Sequence, residues 1–188
     1  MKQLALTLVA VTAIGLVLAV SSLGVLAATE CNGTITGSVT GGLDVGPGDN
    51  CDLEGAVVSG GVHMTGGTLK ACGSLIGGGV HVTGGTCVTL GAGVDDAALC
   101  AGNSISGGVK VSLVVDPTLG LACSGLANVE LEANSINGAV VLNNNGTVQV
   151  EANTINGSLK CNGNVSVTND FIFPNNVTGG KSGQCAGL

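Results

Sequence analysis

The chain has 188 residues, 34 of them glycine, with no Trp, Tyr or Arg, 9% charged and 1% aromatic side chains, and a mean hydropathy of +0.57. Three prolines and no Gly-X-Y period exclude collagen, and plentiful Val, Ile and Leu with scarce charge exclude acidic disorder. Five lysines against twelve acids leave a net charge of −7, the wrong sign for a nucleic-acid footprint.

In chain order, the first segment reads as an address. Met1-Lys2-Gln3 is a short basic start, and from Leu4 to Ala28 the chain is apolar almost without break. This pattern predicts a signal peptide over 1–28, with the small residues Val25-Leu26-Ala27-Ala28 where a peptidase cuts. About 20 apolar residues also suffice for an uncleaved anchor. Val-x-Ala at the cut position, with no basic stop after it, favours export. Cleavage leaves a single domain over 29–188, secreted or held at the cell surface, with no membrane partner and a net charge of −8 once Lys2 is gone.

All eight cysteines follow the cut, at Cys31, Cys51, Cys72, Cys87, Cys100, Cys123, Cys161 and Cys185. An even number in an exported chain reads as disulfides. The nearest two are thirteen apart, unlike the close pairs of zinc sites. No metal or cofactor is expected.

Internal repeats point to the fold. Gly60-Gly-Val-His-Met-Thr-Gly-Gly-Thr68 returns at an offset of 18 as Gly78-Gly-Val-His-Val-Thr-Gly-Gly-Thr86, eight of nine positions identical. Ala133-Asn-Ser-Ile-Asn-Gly138 returns at an offset of 19 as Ala152-Asn-Thr-Ile-Asn-Gly157. A looser unit, aliphatic-x-Gly-small-aliphatic, starts at Ile35, Val58, Ile76, Ile105, Ile136 and Ile155, and decays at Val177-Thr-Gly-Gly-Lys181. A period near 20 with variable insertions marks a solenoid.

Val62-His63-Met64, Val80-His81-Val82 and Val109-Lys110-Val111 alternate apolar and polar, which is strand and not helix. Gly and Asn dominate between them, where corners need positive φ or a self-bonding side chain. The expected fold is an all-β, right-handed parallel β-helix of seven or eight coils, whose thin core leaves no room for large rings. The two aromatics, Phe171 and Phe173, fall in the segment 170–175, expected to cap the last coil.

The glycine-spaced units from Ile35 to Val109 resemble those of bactofilins, bacterial polymer-forming β-helix proteins. The second half, with Ala-Asn-Thr-Ile-Asn-Gly-Ser-Leu-Lys-Cys161 and the closing Gly-Lys-Ser-Gly-Gln-Cys-Ala-Gly-Leu188, is similar to secreted bacterial Asn/Gly repeat proteins. A signal peptide and eight cysteines depart from the bactofilin pattern, so the resemblance implies the stacking geometry more than a cytoskeletal role.

In a solenoid, residues about one coil apart are neighbours. Taking the cysteines in order predicts Cys31–Cys51, Cys72–Cys87, Cys100–Cys123 and Cys161–Cys185, with separations of 20, 15, 23 and 24. Cys51–Cys72, at 21, competes in the middle.

Candidate chemistry is sparse. His63 and His81 share a phase and are expected to stack on an outer face about 4.8 Å apart, with Lys110 and Lys160 in the same column and no acid among them. Two imidazoles need a third ligand for a catalytic zinc, so a solvated polar stripe without tight metal binding is expected. Asp44, Asp49, Asp52 and Glu54 around Gly46-Pro47-Gly48, and Asp95-Asp96, are oxygen-ligand candidates for calcium, against the simpler reading of solvated loops. The repeated Thr34, Thr36, Thr65, Thr68, Thr83 and Thr86 suggest an ice face, but the pattern lapses. Asn-x-Ser/Thr at Asn32, Asn145, Asn156, Asn164 and Asn176 matters only in a host that glycosylates it.

Polysaccharide-cleaving enzymes use this fold, but they want facing carboxylates or a basic residue beside calcium, and this chain has no Arg, Tyr or aromatic sugar platform. The expectation is therefore not an enzyme. It is an exported structural solenoid of the cell surface or matrix, whose uncapped ends favour end-to-end self-association into filaments. The alternative is a secreted binding module for glycan, ice or a partner protein.

Overall fold

A computed structural model describes residues 27–91, 100–116, 123, 127–169 and 173–188. The leader, apart from its last two residues, and Asp95-Asp96, Asp170, Phe171 and Ile172 lie outside the described residues.

The chain winds as a parallel β-solenoid of about seven turns, three short strands to a turn, so that each strand between the terminal ones pairs with its counterparts one turn before and after. Sheet A has eight strands, from Thr29–Glu30, Leu43–Val45, Val62–Met64 and Val80–Val82 through Val109–Ser112, Val140–Asn143 and Leu159–Asn162 to Lys181–Gly183. Sheet B has seven, from Gly33–Ile35 to Ser166–Thr168, and sheet C has seven, from Ser38–Val39 to Asn176–Val177. Among the described residues the one helical element is a 3₁₀ turn, Gln184–Gly187.

Strand alternation places the core. In sheet A, Leu43, Val62, Val80, Val109, Val140 and Leu159 stack in register and are buried, while the residue after each points outward. Sheet C contributes the column Val58, Ile76, Ile105, Ile136 and Ile155. One turn cannot cover these side chains; its neighbours do, at about 1.5–3 kcal/mol for each fully buried aliphatic.

The repeat unit beginning at Ile35 sits one corner too early. The equivalent of Val58-Ser-Gly-Gly-Val62 in the first turn is Val39-Thr-Gly-Gly-Leu43, since Val39 pairs with Val58 and Leu43 with Val62. Ile35 is the last residue of a sheet B strand, and it shares the spacing because its corner also holds a glycine. At the other end the unit does not decay. Lys181 takes the position held by Leu159, and its Nζ donates to the Leu188 carbonyl.

Each corner has its own device. The corner from C to A is always three residues long and glycine-rich because successive turns approach closely: a Cβ added at Gly79 would lie 2.5 Å from the Gly108 carbonyl oxygen. The other two corners use a residue at positive φ followed by a ladder residue. Gly73-Ser74, Ala133-Asn134 and Ala152-Asn153 do this between B and C; Asn144-Asn145, Gly163-Asn164 and Gly183-Gln184 do it between A and B. The asparagines are buried and bonded to one another. Asn103 N and Nδ2 both donate to Asn134 Oδ1 at 2.9 Å, Asn134 Nδ2 to Asn153 Oδ1 at 3.0 Å, and Asn153 Nδ2 to Asn175 Oδ1 at 2.9 Å. A second ladder runs Asn145, Asn164, Gln184.

Four disulfides join neighbouring turns. Cys31–Cys51 and Cys161–Cys185 pair as expected, with Cα separations of 5.3 and 5.2 Å. The middle pairs differ from expectation: Cys72 bonds Cys100 and Cys87 bonds Cys123, spanning 28 and 36 residues. Sequence neighbourhood fails here because Cys87 lies opposite Thr68, four positions before Cys72, which is about 13 Å along the strand. Cys100 and Cys123 instead close or interrupt the two long insertions after Gly91 and Asp116, and each is fastened to the preceding turn.

Of segment 170–175, expected to cap the last coil, residues 173–175 are described. Phe173 is half-buried and gives its carbonyl to Ala152 N, and Asn175 ends a ladder. The closing residues are the 3₁₀ turn with its buried Cys185, and Leu188, which packs against the core.

Candidate functional site

The outward column of sheet A carries the residues of greatest chemical interest. Register places Glu30, Asp44, His63, His81, Lys110, Val141, Lys160 and Ser182 in one line, a rung to each turn. The two histidines meet as expected, with ring centroids 5.7 Å apart in an edge-on arrangement. Lys110 follows His81 directly, and Val141 separates it from Lys160.

The expectation that no acid shares this column is overturned. Asp44 stands next to His63, with Oδ1 3.5 Å from Nδ1, and Glu30 stands one rung beyond. The sequence hides this in the first two turns because Thr29–Glu30 and Leu43-Asp44-Val45 lack the Val-His signature, so their common phase shows only in the register. The column thus runs from acid through imidazole to ammonium along the rod axis.

A groove of about 520 Å³ runs beside it over several turns, its floor formed by the backbone of Gly42, Gly61, Gly79 and Gly108. It exists because four successive corners lack a Cβ at this position, and Ala139 and Ser158 in the next two turns restore one.

The other acids separate. Asp49 turns back to accept a bond from Gly46 N, three residues earlier, at 2.8 Å, a local side-chain-to-backbone bond that holds the turn. Asp52 lies on sheet B with Lys70 Nζ 4.0 Å away, and Glu54 ends that strand. Among the described residues no group of three or more His, Cys, Asp or Glu is arranged to hold a metal ion. Of the threonines, Thr34 is in sheet B, while Thr65 and Thr83 take the same corner position in successive turns, Thr65 N bonding the Val45 carbonyl and Thr83 N that of Met64. Of the glycosylation motifs, Asn145 and Asn164 are buried ladder rungs, whereas Asn156 and Asn176 are exposed.

Sequence reasoning missed the buried carboxylates on sheet B. Glu130, Glu132 and Glu151 are each at most 4% exposed; Glu132 lies opposite Glu151, and Thr89 Oγ1 is 3.3 Å from Glu130 Oε2. Their phase is outward, so alternation alone predicts solvent.

No protein-family model, curated protein or solved structure matches the chain. What the structure defines is the class: a disulfide-rich parallel β-solenoid, with no described helix long and apolar enough to cross a membrane.

Proposed function

We propose that this is an exported structural solenoid of the cell surface or extracellular matrix, a stiff rod that self-associates and performs no reaction. The observation that carries this reading is where the polar chemistry is spent. Eight cysteines and two asparagine ladders all join one turn to the next, which is the investment of a load-bearing rod outside the reducing cytosol. End-to-end growth into filaments would use the exposed strand edges of the first turn, Thr29–Glu30, Gly33–Ile35 and Ser38–Val39. Electron microscopy of the purified mature protein tests this: ordered filaments are expected, and dispersed short rods at every concentration count against it.

The groove beside the His–Lys column favours a second reading, a binding module for a glycan or partner protein. Dispersed rods whose mobility shifts only with an added ligand support that alternative.

A further inference from the structure

We infer that the outward face of sheet A is a lateral docking surface for a second copy of this chain, packed with its axis antiparallel. The inference rests on the self-associating reading above and names the surface and partner orientation.

The argument is charge complementarity along a straight ladder. The acids Glu30 and Asp44 occupy the first two rungs, the imidazoles of His63 and His81 the next two, and Lys110 and Lys160 the fifth and seventh. Asp44 and His63 side chains are about half exposed, and His81, Lys110 and Lys160 are exposed. Two copies facing with parallel axes would set acid against acid and lysine against lysine. Turning one copy end for end sets acid against lysine. A two-fold axis between the His63 and His81 rungs places each Asp44 opposite the other copy's Lys110, each His63 opposite His81, and each Glu30 opposite Val141, between the Lys110 and Lys160 rungs. Such a contact is isologous and closes on itself. The glycine floor beside the column lets the partner approach closely.

The ends of the rod suit this contact. At the far end Lys181 bonds Leu188, Gln184 terminates a ladder and the Cys161–Cys185 bridge holds the 3₁₀ turn over part of the last turn, whereas sheet A's face stays open. The paired face spans six rungs, about 24 Å between the outermost at roughly 4.8 Å each. That is small against standard interfaces, so the dimer is weak, with Kd on the order of 10–1,000 µM, and salt-sensitive.

Sedimentation equilibrium of the mature protein up to about 1 mM, at roughly 20 mM and 500 mM salt, tests the surface. Dimers at low salt that dissociate at high salt are expected, with Asp44→Lys and Lys110→Glu each weakening association at least tenfold alone. Mixed in equal amounts, the two variants should associate like wild type, because each repulsive pair is then replaced by an attractive one. Asp44→Asn and Lys110→Gln, with circular dichroism as a fold check, serve where a reversal unfolds the chain. A wild type that stays monomeric overturns the inference, as do variants that associate normally or a mixture that does not recover. Filaments formed by Asp44→Lys alone would leave the structural reading intact while removing lateral pairing from it. Salt-sensitive dimers without filaments would do the reverse.

Discussion

Asn134 shows how much a single side chain holds. Its Oδ1 accepts from both Asn103 donors at 2.9 Å, and its Nδ2 donates to the Leu90 carbonyl at 2.7 Å and to Asn153. Alanine there strands at least two buried groups, each costing about 1–3 kcal/mol, so Asn134→Ala should lower unfolding free energy by about 3 kcal/mol. Asn137, exposed and accepting only from Asn156 Nδ2, is the control, and its alanine variant should stay within about 0.5 kcal/mol in the same denaturant titration. Equal losses at the two sites would mean that the ladder is not special. Leu113 poses the opposite case. It is 57% exposed and held at φ 59°, where a side chain costs about 1–2 kcal/mol. Leu113→Gly should therefore stabilise the protein by roughly 1 kcal/mol despite glycine's greater freedom when unfolded. A loss of stability would show that Leu113 makes contacts that outweigh its strain.

At the level of the element, strands and corners were legible in the sequence to different degrees. Val-His-Val and Ile-Asn-Gly fix phase and period because burial repeats with the strand. What stayed hidden depends on the neighbouring turn. Glu30 and Asp44 join the polar column only through register, the corner asparagine Asn153 bonds the nearby Glu151 carbonyl and also bridges to the next turn, and the central cysteines follow the path of the insertions, not their spacing. Peptide mapping checks that last point directly. Cutting after Lys70 and Lys110, and at Asp95-Asp96, leaves Cys72 and Cys87 together on one peptide and Cys100 on the next. The pairing seen here should give a non-reduced species in which the Cys72/Cys87 peptide is bonded to both the Cys100 and the Cys123 peptides. Pairing in sequence order would instead leave the Cys72/Cys87 peptide unattached. That result would also remove the fastening of both insertions.

For the whole molecule, stability follows from a one-dimensional stack in which each turn is held chiefly by its two neighbours. The first turn has one neighbour, strands that are mostly exposed, and a single bridge, Cys31–Cys51. Central turns have two neighbours, the longer ladder, and the Cys72–Cys100 and Cys87–Cys123 bridges across them. Closing loops of these lengths contributes about 3–4 kcal/mol per bridge in the chain-entropy model. The last turn falls between, open on one side but held by Cys161–Cys185, by Gln184 on Asn164, and by Lys181 on Leu188. Hydrogen exchange should therefore be graded along the axis, a pattern of local opening and not one global event. Amides of Thr29 and Cys31, bonded to the Gly42 and Asp44 carbonyls of the one neighbouring turn, should exchange at least about 100-fold faster than those of Val109–Ser112 and Val140–Asn143, with Lys181–Gly183 in between. Reducing the disulfides under native conditions should widen the fast-exchanging region inward from the first turn before the centre is affected. Uniform protection from first turn to last, lost all at once on reduction, would mean that the rod unfolds as one cooperative unit and that nearest-neighbour stacking is the wrong description of its stability.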